Sequence, residues 1–227
     1  MPAIQARIAR GGFPVEIGSR HCLPDTIVGW DIAYKVTDTT LERQGAETSY
    51  NVPVTLIGKV GEDAFGRLLC QTLADAGIDL SGVIRAEDCF TTMAFVTLDE
   101  TGDRDFAFSR KPGADTCLRF EELDLSLIDE CRVFHFGTLS LTDEPARTAT
   151  QKAVAYAKNK GKLITYDPNL RKPLWKSLED ARREIEYGLG KCDLLKISDN
   201  EVEFLCGTDD YDEGARILKE TYQIPLI

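Results

Sequence analysis

Histidine is nearly absent from this 227-residue chain, with His21 and His135 the only two. Helical two-histidine metal sites are thereby excluded, and a serine-histidine-acid hydrolase would have to recruit one of that pair. The seven cysteines, Cys22, Cys70, Cys89, Cys117, Cys131, Cys192 and Cys206, form no Cys-x-x-Cys spacing. An odd, widely spaced set is neither a disulfide framework nor an evident zinc site, and it reads as small hydrophobes in a reducing compartment. Long hydrophobic runs are also missing. The longest apolar stretches, such as Val133-Phe134-His135-Phe136 and Val52-Pro53-Val54-Thr55-Leu56-Ile57, are strand-sized, far short of the ~20 apolar residues of a bilayer span. The first ten residues carry two arginines and a glutamine where a secretory signal needs an apolar core. A cytoplasmic protein with no membrane partner is expected.

Positive charge is in deficit: 27 Lys+Arg against 38 Asp+Glu leave a net charge of −11, and the basic residues form no patch. Such a surface repels phosphate backbones and anionic head groups, so a nucleic-acid partner is not expected. With 43% hydrophobic residues the composition is that of an ordinary globular protein. Chemistry must rest on carboxylates, arginine, lysine and backbone amides.

From residue 54 onward the chain alternates strand and helix. A strand is predicted at 54–57, followed by a glycine-containing turn and a helix from 63 with apolar positions at Phe65, Leu68, Leu69, Leu73 and Ala76 before Gly77. Two β-patterned runs, 92–98 and 104–108, flank Asp99-Glu100-Thr101-Gly102-Asp103 and predict a hairpin. Strands at 132–136, 163–166 and 194–197 then alternate with helices near 145–159, 178–189, 200–206 and 212–221, and a further strand begins at 224–227. That alternation is the mark of a parallel α/β sheet. The first fifty residues break every period before it reaches element length, at Gly11-Gly12-Phe13-Pro14, Asp38-Thr39-Thr40 and Gly45-Ala46-Glu47-Thr48-Ser49. They read either as a loop-rich lead-in or as a segment outside the domain that follows.

Three clusters carry chemistry. Gly58-Lys59-Val60-Gly61-Glu62-Asp63-Ala64-Phe65-Gly66 joins a strand to a helix, either as a tight turn or as a place of close approach to a ligand. Asp167-Pro168-Asn169-Leu170-Arg171 follows the predicted strand at 163–166. Ligands of open parallel sheets bind outside the carboxyl ends of the strands, so a carboxylate, an amide and a guanidinium at alternate positions can converge there on a polar ligand. The alternative is an Asp-Pro turn with a surface ion pair. Lys196-Ile197-Ser198-Asp199-Asn200-Glu201 sits past the next strand and opens a helix. Glu201 could hold Mg²⁺ through water, or could simply be an acid favoured by the helix dipole.

On these pieces, with Leu174-Trp175 after the second, the chain from residue 54 onward, roughly three-quarters of it, resembles the ribokinase-like, PfkB-type carbohydrate kinases, in particular their fructokinase and 2-keto-3-deoxygluconate kinase branch. The resemblance implies a Rossmann-like ribokinase fold, an α/β architecture with a mostly parallel sheet flanked by helices and a small β lid. It implies ATP- and Mg²⁺-dependent phosphorylation of a sugar hydroxyl, with sugar and ATP as partners and a possible homodimer through the lid.

By resemblance, Phe106, Phe108 and Arg110 contact the sugar. Asp167, Asn169 and Arg171 lie about the substrate and the transferred phosphoryl group. Lys196, with Asn169 and Arg171, borders the nucleotide, and Glu201 organises the metal, although Ser198 stands where the family's Asn-x-x-Glu motif has asparagine. The family's Gly-Ala-Gly-Asp segment, which supplies the general base and the anion hole, is nowhere in these residues. The expected division is an irregular segment at 1–53 and a truncated kinase domain at 54–227 with its lid hairpin at about 91–110. The chain alone is expected to be inactive. A non-catalytic sugar- or partner-binding module on the same fold is the alternative.

Overall fold

The computed structural model describes residues 27–29, 53–98 and 104–227. Its centre is a six-stranded sheet in the order β3-β2-β1-β6-β7-β8. The strands are β1 (Ile27–Gly29), β2 (Val54–Gly61), β3 (Asp79–Ala86), β6 (Val133–Gly137), β7 (Leu163–Asp167) and β8 (Leu194–Leu195), and every neighbouring pair is parallel. A parallel sheet needs crossover helices, and they supply its cover. Helix α1 (Ala64–Asp75) links β2 to β3, α2 (Leu125–Glu130) precedes β6, α3 (Ala146–Asn159) links β6 to β7, and α4 (Leu178–Leu189) links β7 to β8. Two more helices, α5 (Asp199–Cys206) and α6 (Tyr211–Tyr222), follow β8.

The core forms where side chains alternate out of the pleat. Phe134 and Phe136 of β6 and Ile164 and Tyr166 of β7 are fully buried, together with Ile185 and Leu189 of α4. Phe136 stacks on Tyr166 with ring centroids 4.6 Å apart. Helix α3 turns a stripe of small residues, Ala146, Ala149, Ala153 and Ala157, onto the same cluster. Small side chains let that helix lie close to the aromatic face, where larger ones would hold it off. The intervening residues of β7, Leu163, Thr165 and Asp167, are half-buried on the other face of the sheet.

The predicted helix at 178–189 has those bounds, and the one near 145–159 begins one residue later. Strand β8 is shorter than the predicted 194–197, but Leu226 bridges to Leu194 in parallel and its carbonyl accepts from the Leu195 amide at 2.9 Å, so the chain's last residues do start to pair with the sheet. The predicted hairpin is present as β4 (Met93–Leu98) against β5 (Arg104–Ser109), antiparallel, with Met93 opposite Ser109 and Leu98 opposite Arg104. Three described elements, β1, β3 and α2, have no counterpart in the sequence reading. The sheet also draws Ile27–Gly29 from the 1–53 segment and seats it between β2 and β6. The strand order reverses between β1 and β6, the kind of point at which open α/β sheets bind ligands.

Candidate active site

At the carboxyl ends of β6 and β7, Gly137 lies opposite Asp167. Just beyond, fully buried Thr138 donates from its amide (3.2 Å) and its hydroxyl to the carbonyl of Pro168. The next residue, Asn169, has φ of 49°, a left-handed conformation that asparagine tolerates better than most side chains. The turn that follows is held from across the site. Glu201, only 4% exposed, accepts from the Leu170 amide at 2.6 Å through Oε1 and from the Ser198 amide at 2.9 Å through Oε2. One carboxylate thus fastens the loop after β7 to the first turn of α5, where Ser198 and Glu201 form a reciprocal capping box.

Asp167 completes the cluster. Its Oδ2 pairs with Lys196 Nζ at 3.0 Å, while its buried Oδ1 accepts no hydrogen bond from the protein. Lys196 is kept beside β7 by its amide, which donates to the Tyr166 carbonyl at 2.9 Å, and its side chain is about half exposed. A buried acceptor without a donor is costly unless a ligand or water supplies one. Asp167 and Lys196 therefore form a built polar position at the strand ends. Arg171 lies on the same loop and donates from Nη1 to the Leu170 carbonyl at 3.2 Å.

The structure thus gathers Asp167, Asn169, Arg171, Lys196 and Glu201 at one edge of the sheet. The hairpin residues are placed differently. Arg110 has a side chain only 6% exposed, and its guanidinium donates to Asp115 Oδ2 (2.7 Å), Thr142 Oγ1 (2.8 Å) and the Leu139 carbonyl (2.6 Å). Those partners tie the foot of the hairpin to the turn after β6. Phe108 lies opposite Ala94 and is half-buried. The backbone of Phe106 pairs with Val96, and its side chain lies outside the described residues. Thr138 was not among the sequence candidates, because a lone threonine after a strand carries no recognisable spacing.

The glycine-rich cluster is a packing junction. Asp63 caps α1 by accepting from the Phe65 and Gly66 amides through Oδ1, and its Oδ2 accepts from the Thr91 amide at 2.8 Å. Burial pushes the Asp63 carboxyl upward, but those donors outweigh it and hold the group below the ordinary carboxylate range. The Gly61 amide donates to Thr91 Oγ1 at 2.9 Å, and a Cβ on Gly61 would sit 2.6 Å from the Thr91 nitrogen and 2.7 Å from the Cys89 carbonyl. The close approach that requires glycine at position 61 is to the chain leading into β4.

His135 faces the same side of the sheet as Thr165, its Nδ1 2.9 Å from Thr165 Oγ1. Burial, assisted by the Lys196 cation, lowers its pKa from 6.5 to about 4. Between those values the unfolded chain binds the proton and the folded chain does not, so stability rises with pH across the window and is complete above it. Acidification from pH 7 to 4 is expected to cost on the order of 3 kcal/mol through this residue. Urea titrations of wild type and His135→Gln at a series of pH values measure it. The variant should flatten the slope between those limits, and an unchanged slope would assign the acid sensitivity elsewhere.

The parallel α/β sheet and its antiparallel hairpin match the fold of solved sugar kinases. The fructokinase from Xylella fastidiosa superposes with a TM-score of 0.72 at 25% identity, covering 88% of this chain and 67% of that one. The fructokinase from Vibrio cholerae O395, solved with fructose, ADP and calcium, gives 0.72 at 26%, covering 89% and 69%. The family model for pfkB family carbohydrate kinases matches residues 39–224, beginning inside the 1–53 segment. The chain belongs to the PfkB carbohydrate kinase family. Among curated proteins, maize fructokinase-1 is 45% identical over 173 residues, covering 75% of this chain and 54% of its own length. The probable fructokinase-2 of Arabidopsis thaliana is 46% identical over 157 residues, covering 69% and 48%. The chain spans about half the length of the curated relatives it matches.

Proposed function

We propose that this chain forms the strand-end half of a kinase site that transfers the γ-phosphoryl group of ATP to a hydroxyl of fructose. The observation that carries the reading is the Asp167–Lys196 pair, with its unsatisfied Oδ1, at the carboxyl edge of β7, in a chain 45% identical to maize fructokinase-1. Phosphoryl transfer is largely positioning and charge stabilisation. Lys196 and Arg171 supply positive charge at that edge, Asn169 lies on the turn after β7, and Phe106 and Phe108 belong to the hairpin that acts as the lid. Arg110 serves the sugar indirectly, by fixing the foot of that hairpin.

Glu201 acts as a positioning residue, since both of its oxygens already accept backbone hydrogen bonds. Among the described residues no three His, Cys, Asp or Glu side chains converge as a metal-holding group. Mg²⁺ would be held largely by water and nucleotide phosphates, with Glu201 and Asp167 the carboxylates that could orient that water. When bound, the cation neutralises charge on the transferred group.

The 227 residues contain no Gly-Ala-Gly-Asp segment to accept the hydroxyl proton, so the chain alone should release ADP from ATP and fructose no faster than a protein-free control. A chimera carrying the C-terminal half of maize fructokinase-1 should show fructose-dependent ADP release. A cooperatively melting chimera without that release would overturn the reading. Stabilisation by fructose without turnover would favour the sugar-binding module instead.

A further inference from the structure

The thiols of Cys89 and Cys117 meet. Their sulfurs are 3.0 Å apart, with Cys89 donating. Neither is deeply buried, whereas Cys70, Cys131 and Cys192 are. Cys89 lies in the turn between β3 and β4, and Cys117 ends the 3-10 turn Ala114–Cys117 that follows β5. Both segments are fixed by backbone contacts independent of sulfur. The Ala114 amide donates to the Phe90 carbonyl at 2.8 Å, Phe90 bridges to Gly113, and the Thr92 hydroxyl donates to Asp115. Lys59 Nζ reaches the Cys117 carbonyl at 3.5 Å. Among the described cysteines no other pair of sulfurs is in such contact.

We infer that Cys89 and Cys117 form a reversible disulfide that locks together the two feet of the hairpin, made and broken by exchange with a low-molecular-weight disulfide. The inference rests on this geometry and not on the proposed kinase reaction. Closing the bond needs an approach of about 1 Å, to the ~2.05 Å of a disulfide. The hydrogen bond to Cys117, burial and nearby Asp88 push the Cys89 thiol up to about 12. With its S–H donated to Cys117 Sγ, Cys89 is the poorer nucleophile of the two, and Cys117 is the first to attack.

The steps balance. The Cys117 thiolate attacks one sulfur of the external disulfide, whose S–S bond breaks, and the departing thiolate takes up a proton. Cys89 then gives its proton to solvent, and its thiolate attacks Cys117 Sγ, expelling the second external thiol. Two protein thiols are oxidised and one external disulfide is reduced to two thiols. The bond closes a ring over residues 89–117 that contains β4, β5 and Arg110.

Oxidised glutathione tests this on the folded chain. Intact mass should fall by two hydrogens, the peptide map should join Cys89 to Cys117, and dithiothreitol should reverse both changes. The melting midpoint of the oxidised chain should rise by roughly 5 °C or more, because a cross-linked loop of this size restricts the unfolded state. Cys89→Ser should instead stop at a stable glutathione adduct on Cys117. Wild-type protein that keeps that adduct without closing the ring, leaves both thiols unreacted, or cross-links these two cysteines no faster than it does in urea would overturn the inference.

Discussion

Glu201→Ala should lower folding stability by about 3–4 kcal/mol and the melting midpoint by roughly 10 °C. The carboxylate is almost wholly enclosed and accepts two backbone amides, at 2.6 Å from Leu170 and 2.9 Å from Ser198. Hydrogen bonds to a charged acceptor contribute about 1.5–3 kcal/mol each, and truncation also leaves two amide donors unpaired. Water entering the vacated space recovers part of that loss, which keeps the sum below the simple total. Glu201→Gln retains one acceptor but turns an NH₂ toward a donor, so a cost near 2 kcal/mol is expected. Urea denaturation without metal or nucleotide distinguishes the roles. If the carboxylate served only a bound cation, both variants would unfold like wild type under those conditions.

Gly188→Ala should be almost as damaging. A methyl there would lie 2.3 Å from Cζ of Tyr166 and 2.6 Å from both Cε1 and the hydroxyl oxygen. Tyr166 has no room to yield, being fully buried, stacked on Phe136 and hydrogen-bonded through its hydroxyl to the Ile185 carbonyl at 3.4 Å. Alanine favours a helix interior over glycine by only about 1 kcal/mol, whereas forcing a methyl into a packed core costs ~1–3 kcal/mol and more where the neighbour is rigid. The clash wins, with a net loss of about 2–3 kcal/mol. Because Asp167 follows Tyr166, the position that it shares with Lys196 should be displaced as well. Tyr166→Leu in the same chain should recover part of the loss, and strict additivity of the two changes in thermal unfolding would reject the proposed contact.

The sequence disclosed the site unevenly. The strand-end clusters at 167–171 and 196–201 were legible because each follows an apolar run whose length and composition mark a strand. The roles within them were less so. By resemblance Glu201 is the family's metal-organising acid, its spacing from Ser198 is that of a capping box, and only its contact with Leu170, 31 residues away in the chain, reveals a clasp between two loops. Arg110 enters the sequence reading through the family resemblance, and only the structure shows its guanidinium donating to Asp115, Thr142 and Leu139. Strand β3 escaped notice because its burial alternates weakly along a sheet edge, with Asp79, Ser81 and Arg85 exposed. β1 escaped because three residues are too few to establish a period.

Local order along the chain, apolar strand then amphipathic helix, was enough to determine a parallel α/β architecture and to put Asp167 and Lys196 at strand ends, since periodicity and turn chemistry act between near neighbours. Packing decided the rest. The seat of Ile27–Gly29 between β2 and β6, the enclosure of Arg110 and the meeting of Cys89 with Cys117 all depend on how distant segments register against one another. No pattern within a single element encodes that register, because it is set by the summed burial of every element in the domain.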